Sequence, residues 1–187
     1  MKRRSKWLLW AGAALIAVSV CTATVFGLLQ SRGVRQAEDI AQRIEEVLPP
    51  RTIGAKETYS VMQMPALSID GEDFVGLVEI PAHGVKLPVC NDWKPTRLNR
   101  YPCRFWGTAY DGSLIVGGNA QQLACLKQMQ NGDEVQVTDM QGAVFTYTVT
   151  RIRHADHADA KSLQTNASLT LFAQDGYNLE YIIVECE

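Results

Sequence analysis

The stretch "FVGLVEIPAHGVKLPV", residues 74–89, is apolar on both sides of a His83-Gly84 turn. It reads as two strands joined by a short connection, because period two bounded by turn residues is the strand pattern. Downstream the same rhythm recurs in "SLIV" (113–116), "DEVQVTD" (133–139), "AVFTYTVTRI" (143–152), "SLTLFA" (168–173) and "LEYIIVEC" (179–186). Turn residues separate these runs at Asp111-Gly112, Asn131-Gly132, Gln141-Gly142 and Asp175-Gly176. One short helix is predicted over 121–129, with Leu123, Leu126 and Met129 on one side. A series of short, mostly hairpin-linked strands implies a mainly β fold closed, or nearly closed, into a barrel, and argues against a βαβ sheet.

Upstream, the chain changes character twice. In "VRQAEDIAQRIEEVL" (34–48), Val34, Ala37, Ala41, Ile44 and Leu48 share one helical stripe that Pro49-Pro50 ends. This predicts a helical stalk, followed by a linker over 51–63. Earlier still, Lys2, Arg3, Arg4 and Lys6 precede an uncharged run over 8–29, 22 residues long enough to span a bilayer. More cations stand before the run than just after it (Arg32 and Arg35), which puts the N-terminus in the cytoplasm and the rest outside. A cleaved signal peptide is the rival, but no A-x-A site follows the run. The expected organisation is a basic tail (1–7), a transmembrane anchor (8–29), a stalk and linker (30–63) and a β-barrel domain (64–187).

Charge is unevenly spread. The whole chain is near neutral at −2, yet residues 65–187 carry nine Lys/Arg against fifteen Asp/Glu, a formal −6. Such a domain has no electrostatic footprint for nucleic acid. Cys21 falls in the apolar run, whereas Cys90, Cys103, Cys125 and Cys186 would face a compartment that permits disulfides. Four cysteines allow three pairings, and packed, reduced thiols are the equally simple reading.

Direct signals of chemistry are few. The chain has no phosphate loop, no CxxC and no HExxH. His83 reads as a solvated turn residue. "HADHADA" (154–160) groups His154 and His157 with Asp156 and Asp159, which reads as a solvated loop and would be a metal site only if it curled into a helical turn. No metal and no cofactor is implied. A thiol nucleophile needs a neighbouring base, and no cysteine is set beside a histidine by sequence.

Taken in order, "MPALSIDGEDFVGLVEIPAHGVKLPV", "YPCRFWG", "SLIVGGN", "NGDEVQVTD", "FTYTVTRI", "SLTLFAQ" and "IIVEC" resemble a sortase over about residues 64–187. Sortases are membrane-anchored cysteine transpeptidases of Gram-positive bacteria, and the resemblance implies an eight-stranded barrel. In the family, the strand matching "SLIVGG" ends in a catalytic histidine; here Asn119 holds that position. The later strand ends in Thr-Leu-x-Thr-Cys; here the run is Thr170-Leu171-Phe172-Ala173-Gln174, so Gln174 stands where the nucleophile belongs. Counting back from "VEC", the family's oxyanion-stabilising arginine falls on Tyr181. No Arg or Lys follows Lys161, so this loss does not depend on register.

These substitutions imply a degenerate member. A carboxamide nitrogen is delocalised and forms no thioacyl adduct, Asn119 exchanges no proton near neutral pH, and Tyr181 brings no positive charge. The reading is therefore a pseudosortase facing the cell exterior, bound to the membrane through 8–29. Its old groove, with Asn119, Gln174 and Tyr181 and the flanking His154 and His157, would hold a sorting-signal-like peptide, a pilin-like protein or an active sortase. One alternative is a working transpeptidase or hydrolase with relocated residues, Cys125 with His154 or His157. Another is a purely structural domain with a filled groove.

Overall fold

A computed structural model describes residues 15–22, 35–53, 63–163, 165–174 and 180–187. Two compact units emerge, Met1–Gly33 and Val34–Glu187. In the first, residues 15–22 are helical, with Leu15, Ile16, Val18 and Val20 exposed. Most of the expected span over 8–29, the whole basic tail and most of the linker lie outside the described residues. Among the described residues no helix is long and apolar enough to cross a membrane.

The second unit begins with helix α1, residues 35–47, followed by ten strands: β1 Thr52–Ile53, β2 Leu67–Ile69, β3 Glu72–Ile80, β4 Val85–Cys90, β5 Cys103–Trp106, β6 Leu114–Gly118, β7 Glu134–Asp139, β8 Ala143–Ala155, β9 Leu169–Gln174 and β10 Tyr181–Cys186. Short helices α2 (Pro95–Leu98) and α3 (Ala160–Leu163) and two 3₁₀ turns interrupt them. Eight strands close a ring in the order β3-β4-β5-β6-β9-β10-β8-β7, with β7 pairing back onto β3. The short β1 and β2 attach to β8 and β3. Closure removes the open edges through which an isolated sheet would pair with other chains. The expected closed eight-stranded barrel is the observed fold.

Most pairs are antiparallel, but β6 pairs with β9 in parallel, Gly118 opposite Ala173. That pairing brings segments more than fifty residues apart edge to edge, and it organises the site. The barrel interior is filled by alternate residues such as Leu114, Val116, Leu169, Leu171, Ile182 and Val184, all buried. Strand β3 is buried on both faces, from Phe74 and Val75 through Leu77 and Val78.

Helix α1 departs from the expected free stalk. Its stripe, Ala37, Ala41 and Ile44 together with Ile40, is buried in the same core as the barrel. Arg43 pairs with Asp70 at 2.6 Å, and Glu45 with Lys86 of β4 at 2.6 Å. The compact unit therefore starts at Val34, thirty residues before the expected barrel boundary. The physical reason is that a stripe of this width on a single helix has to be covered, and the barrel wall covers it. The predicted helix over 121–129 is also smaller than expected, a 3₁₀ turn at Ala124–Lys127.

Candidate functional site

Three neighbouring strands end together. Tyr181 opens β10 directly opposite Gln174, the last residue of β9. Gly118 ends β6 opposite Ala173, and Asn119 follows it, level with Gln174. The structure therefore brings Asn119, Gln174 and Tyr181 into one row across three adjacent strands. Strand alternation places two further rows beneath it on the outer face of the barrel: Gly117, Phe172 and Ile183, then Ile115, Thr170 and Glu185.

The middle row is covered by aromatic rings. Trp93, on the segment between β4 and α2, lies 5.4 Å from Phe172 and 5.1 Å from Phe105, and Phe105 meets Phe172 edge-on at 5.7 Å. Tyr181 tilts against Phe172 at 6.4 Å. Gly117 makes this stack possible. A Cβ there would sit 2.4 Å from the Phe172 ring and 2.5 Å from the Trp93 ring. Ile115, Leu163, Phe172 and Ile183 form a second buried cluster beneath these rings, on the opposite side of the sheet from the barrel core.

Asn119 is held tightly. Its Nδ2 donates to the Leu98 carbonyl at 2.9 Å, and its Oδ1 accepts from the backbone N–H groups of Gln121 and Gln122 at 3.0 and 2.9 Å. The side chain thus works as a turn cap that also clasps the end of α2. Beside it Gln122 is buried, with its Oε1 accepting from the Asn119 N–H and its Nε2 lacking a partner among the described residues. Gln174 and Tyr181 are half-buried.

The third row is buried, and its residues line two adjoining cavities. A cavity of about 250 Å³ is lined by Trp106, Ser113, Ile115, Leu163, Thr165 and Thr170. Trp106 is 61% exposed at its rim. Beyond Thr165 lies a wider polar cleft of about 580 Å³ with Arg151, Arg153, Ser162, Asn166, Glu185 and Glu187 on its walls. Within it Arg153 Nε donates to Glu185 Oε1 at 2.7 Å.

The two candidate histidines stand apart from the row. His154 lies in β8 with an exposed side chain, its Nδ1 3.8 Å from Glu180, and exposed His157 offers its carbonyl to Ser162 Oγ. The segment after β8 curls into α3, where Asp159 caps Ser162. Among the described residues no group of His, Cys, Asp and Glu has the arrangement of a metal site. His83, expected to be solvated, is tucked in at 17% exposure, 3.5 Å from Asp133. Cys125 is half-buried, and burial pushes its thiol up to about 11; burial raises Cys186 to about 12.

A family model described as a sortase domain matches residues 78–183. The chain belongs to the sortase family. Solved structures agree on the fold of this sortase domain. Sortase C1 from Streptococcus agalactiae is similar at 22% identity and a TM-score of 0.56, covering 65% of this chain and 70% of its own. Sortase A from Corynebacterium diphtheriae is similar at 15% identity and 0.54, covering 84% and 83%. Clostridium perfringens sortase C, solved with the C-terminal cell wall sorting motif, is similar at 17% identity and 0.55, covering 92% and 97%. No curated protein matches the chain.

Several participants in this sortase's outer face escaped the sequence reading. Trp93, Phe105 and Trp106 sit in "NDWKPT" and "YPCRFWG", runs without a clear period, and their signal was only a local density of aromatics. Gly117 was visible as half of a Gly-Gly pair at a strand end, the usual mark of close approach by another group.

Proposed function

We propose that this sortase domain is non-catalytic and uses its outer face to bind an extended peptide, free or as part of a partner protein. The observation that carries the reading is the row of Asn119, Gln174 and Tyr181 at the ends of β6, β9 and β10. By the family resemblance these positions hold histidine, cysteine and arginine. Asn119 and Gln174 supply neither a nucleophile nor a general base and Tyr181 supplies no cation, and losing such groups from a hydrolase typically removes on the order of 10⁶ in kcat. A relocated nucleophile gains no support from Cys125. With its thiol near 11 it holds almost no thiolate at neutral pH.

Binding has material to work with. The half-buried Gln174 amide and Tyr181 hydroxyl can hydrogen-bond an extended peptide. The cavity rimmed by Trp106 can take an apolar side chain. Peptides of the cell wall sorting class, a pilin-like protein or a competent sortase are the partners of this reading. The apolar run over 8–29 supports a single-pass anchor, with the N-terminus in the cytoplasm and the barrel outside the cell.

The test uses the full chain in detergent with labelled sorting-signal peptides and a glycine nucleophile. Expected are saturable binding and neither cleavage nor transfer. Turnover that disappears in Cys125→Ala would establish the relocated enzyme instead. The Trp93 stack favours a second reading, a structural domain with a filled groove. It predicts no saturable binding in either the parent chain or Trp93→Ala.

A further inference from the structure

We infer that Cys90 and Cys103 form a dithiol–disulfide pair that fastens the segment covering the outer face. The inference goes beyond the proposed peptide binding and does not depend on it. Cys90 ends β4 and Cys103 begins β5, and the two are direct partners in the single parallel bridge between those strands. The Cys90 backbone N–H donates to the Pro102 carbonyl at 2.9 Å, which fixes this register. Paired strands run roughly 4.8 Å apart, inside the roughly 4.4–6.8 Å Cα separation that a disulfide spans. Both side chains belong to the same core, and both residues are fully buried.

The thiols already touch. The two sulfurs lie close enough to shift each other's titration, and Cys103 Sγ donates to the Tyr101 carbonyl at 3.5 Å. That contact pushes the Cys90 thiol up and holds Cys103 down, with a Lys94 backbone N–H also lowering Cys103. Neither sulfur is open to a disulfide reagent once the barrel has closed, so the link forms as the chain folds. One cysteine thiolate opens the disulfide of oxidised glutathione, giving a mixed disulfide and one glutathione thiolate. The thiolate of the other cysteine then attacks the protein sulfur of that mixed disulfide and expels the second glutathione as its thiolate. Two thiols are oxidised, and one glutathione disulfide is reduced to two thiols.

What the pair encloses gives it a consequence. Residues 91–102 carry Trp93, stacked on Phe172, and Leu98, whose carbonyl takes the Asn119 amide. Arg97 and Arg100 of the same segment pair with Glu72 at 2.5 and 2.7 Å. A covalent link at Cys90 and Cys103 ties both ends of this cover to one point, so the cover leaves the face less readily when oxidised.

The full chain, unfolded and refolded in detergent with either glutathione redox buffer or dithiothreitol, tests this without any variant. Remaining thiols are alkylated, and the protein is digested with trypsin under non-reducing conditions. Cleavage separates the peptides 87–97 and 101–104, so the pair appears as one cross-linked species lighter by two hydrogens, and only after oxidation. Recovery of both peptides alkylated after oxidative refolding, or linkage of either to Cys125 or Cys186, overturns the pair. The folded chain is then nicked with trypsin at Arg97 and Arg100. Cutting several-fold slower in the oxidised form is expected, and equal rates overturn the fastening of the cover.

Discussion

Asn119 commits its carboxamide to the chain itself: one donor to Leu98 and two acceptances from Gln121 and Gln122. An imidazole could not reproduce this, since its ring nitrogens offer one donor and one acceptor when neutral. The residue at the end of β6 has become part of the scaffold. Replacing Asn119 with alanine is expected to cost about 1–2 kcal/mol in chemical denaturation, the scale of a lost cap. The exposed neighbour Gln121→Ala should stay within about 0.5 kcal/mol, as surface substitutions do. A similar test applies to Gly117, where a methyl group would overlap two rings. Gly117→Ala is expected to lower stability by about 1–3 kcal/mol through overpacking and to reduce the near-ultraviolet circular dichroism of the aromatic cluster. An unchanged spectrum would mean that the rings do not rest on that backbone.

Helix α1 shows how an element's role is set by what lies opposite it. Ile44 is fully buried and Val47 is 62% exposed on the same helix. Ile44→Ala should therefore cost about 2–4 kcal/mol, as large-to-small core changes do, while Val47→Ala should be nearly silent. The helix is also docked by charge. Lys86 and Arg51 hold the Glu45 carboxyl below its usual range, and Arg43 does the same for Asp70. A depressed folded pKa means the unfolded chain binds the proton more readily, so this stability is present above the carboxylate range and lost as pH falls through it, around pH 4. Stability is expected to decline between about pH 5 and 3, with Glu45→Gln flattening part of that slope. The stripe on α1 was legible in sequence because helical spacing is local, but its burial partner was not. Seven of the strands were legible for the same reason. β5 was not, because a bulge between Arg104 and Trp106 breaks its alternation. The helix predicted over 121–129 failed instructively. Leu123, Leu126 and Met129 recur every three residues, which is the 3₁₀ period rather than the α period, and all three are buried.

At the scale of the molecule, the site exists because the barrel closes. Asn119 lies 55 residues before Gln174, and only the parallel β6–β9 pairing sets them level. Sequence order and the family resemblance named the three residues; the nonlocal ladder brings them together. The cover over the second row was not legible, since Trp93, just after β4, reaches Phe172 on β9 across β5 and β6. This geometry makes restoration of a catalytic set testable. Asn119→His, Gln174→Cys and Tyr181→Arg together would put a thiol on β9 between an imidazole on β6 and a guanidinium directly opposite on β10. The neighbouring cations favour the thiolate, so faster alkylation of the new thiol than of Cys125 is expected at pH 7. Peptide cleavage should stay weak, because the new imidazole forfeits the clasp to Leu98 and the Trp93 stack still fills the floor below it. Adding Trp93→Ala should raise cleavage several-fold if the rings are what blocks the substrate. A triple variant whose new thiol alkylates no faster than Cys125 would show that adjacency on three strands does not amount to a working constellation.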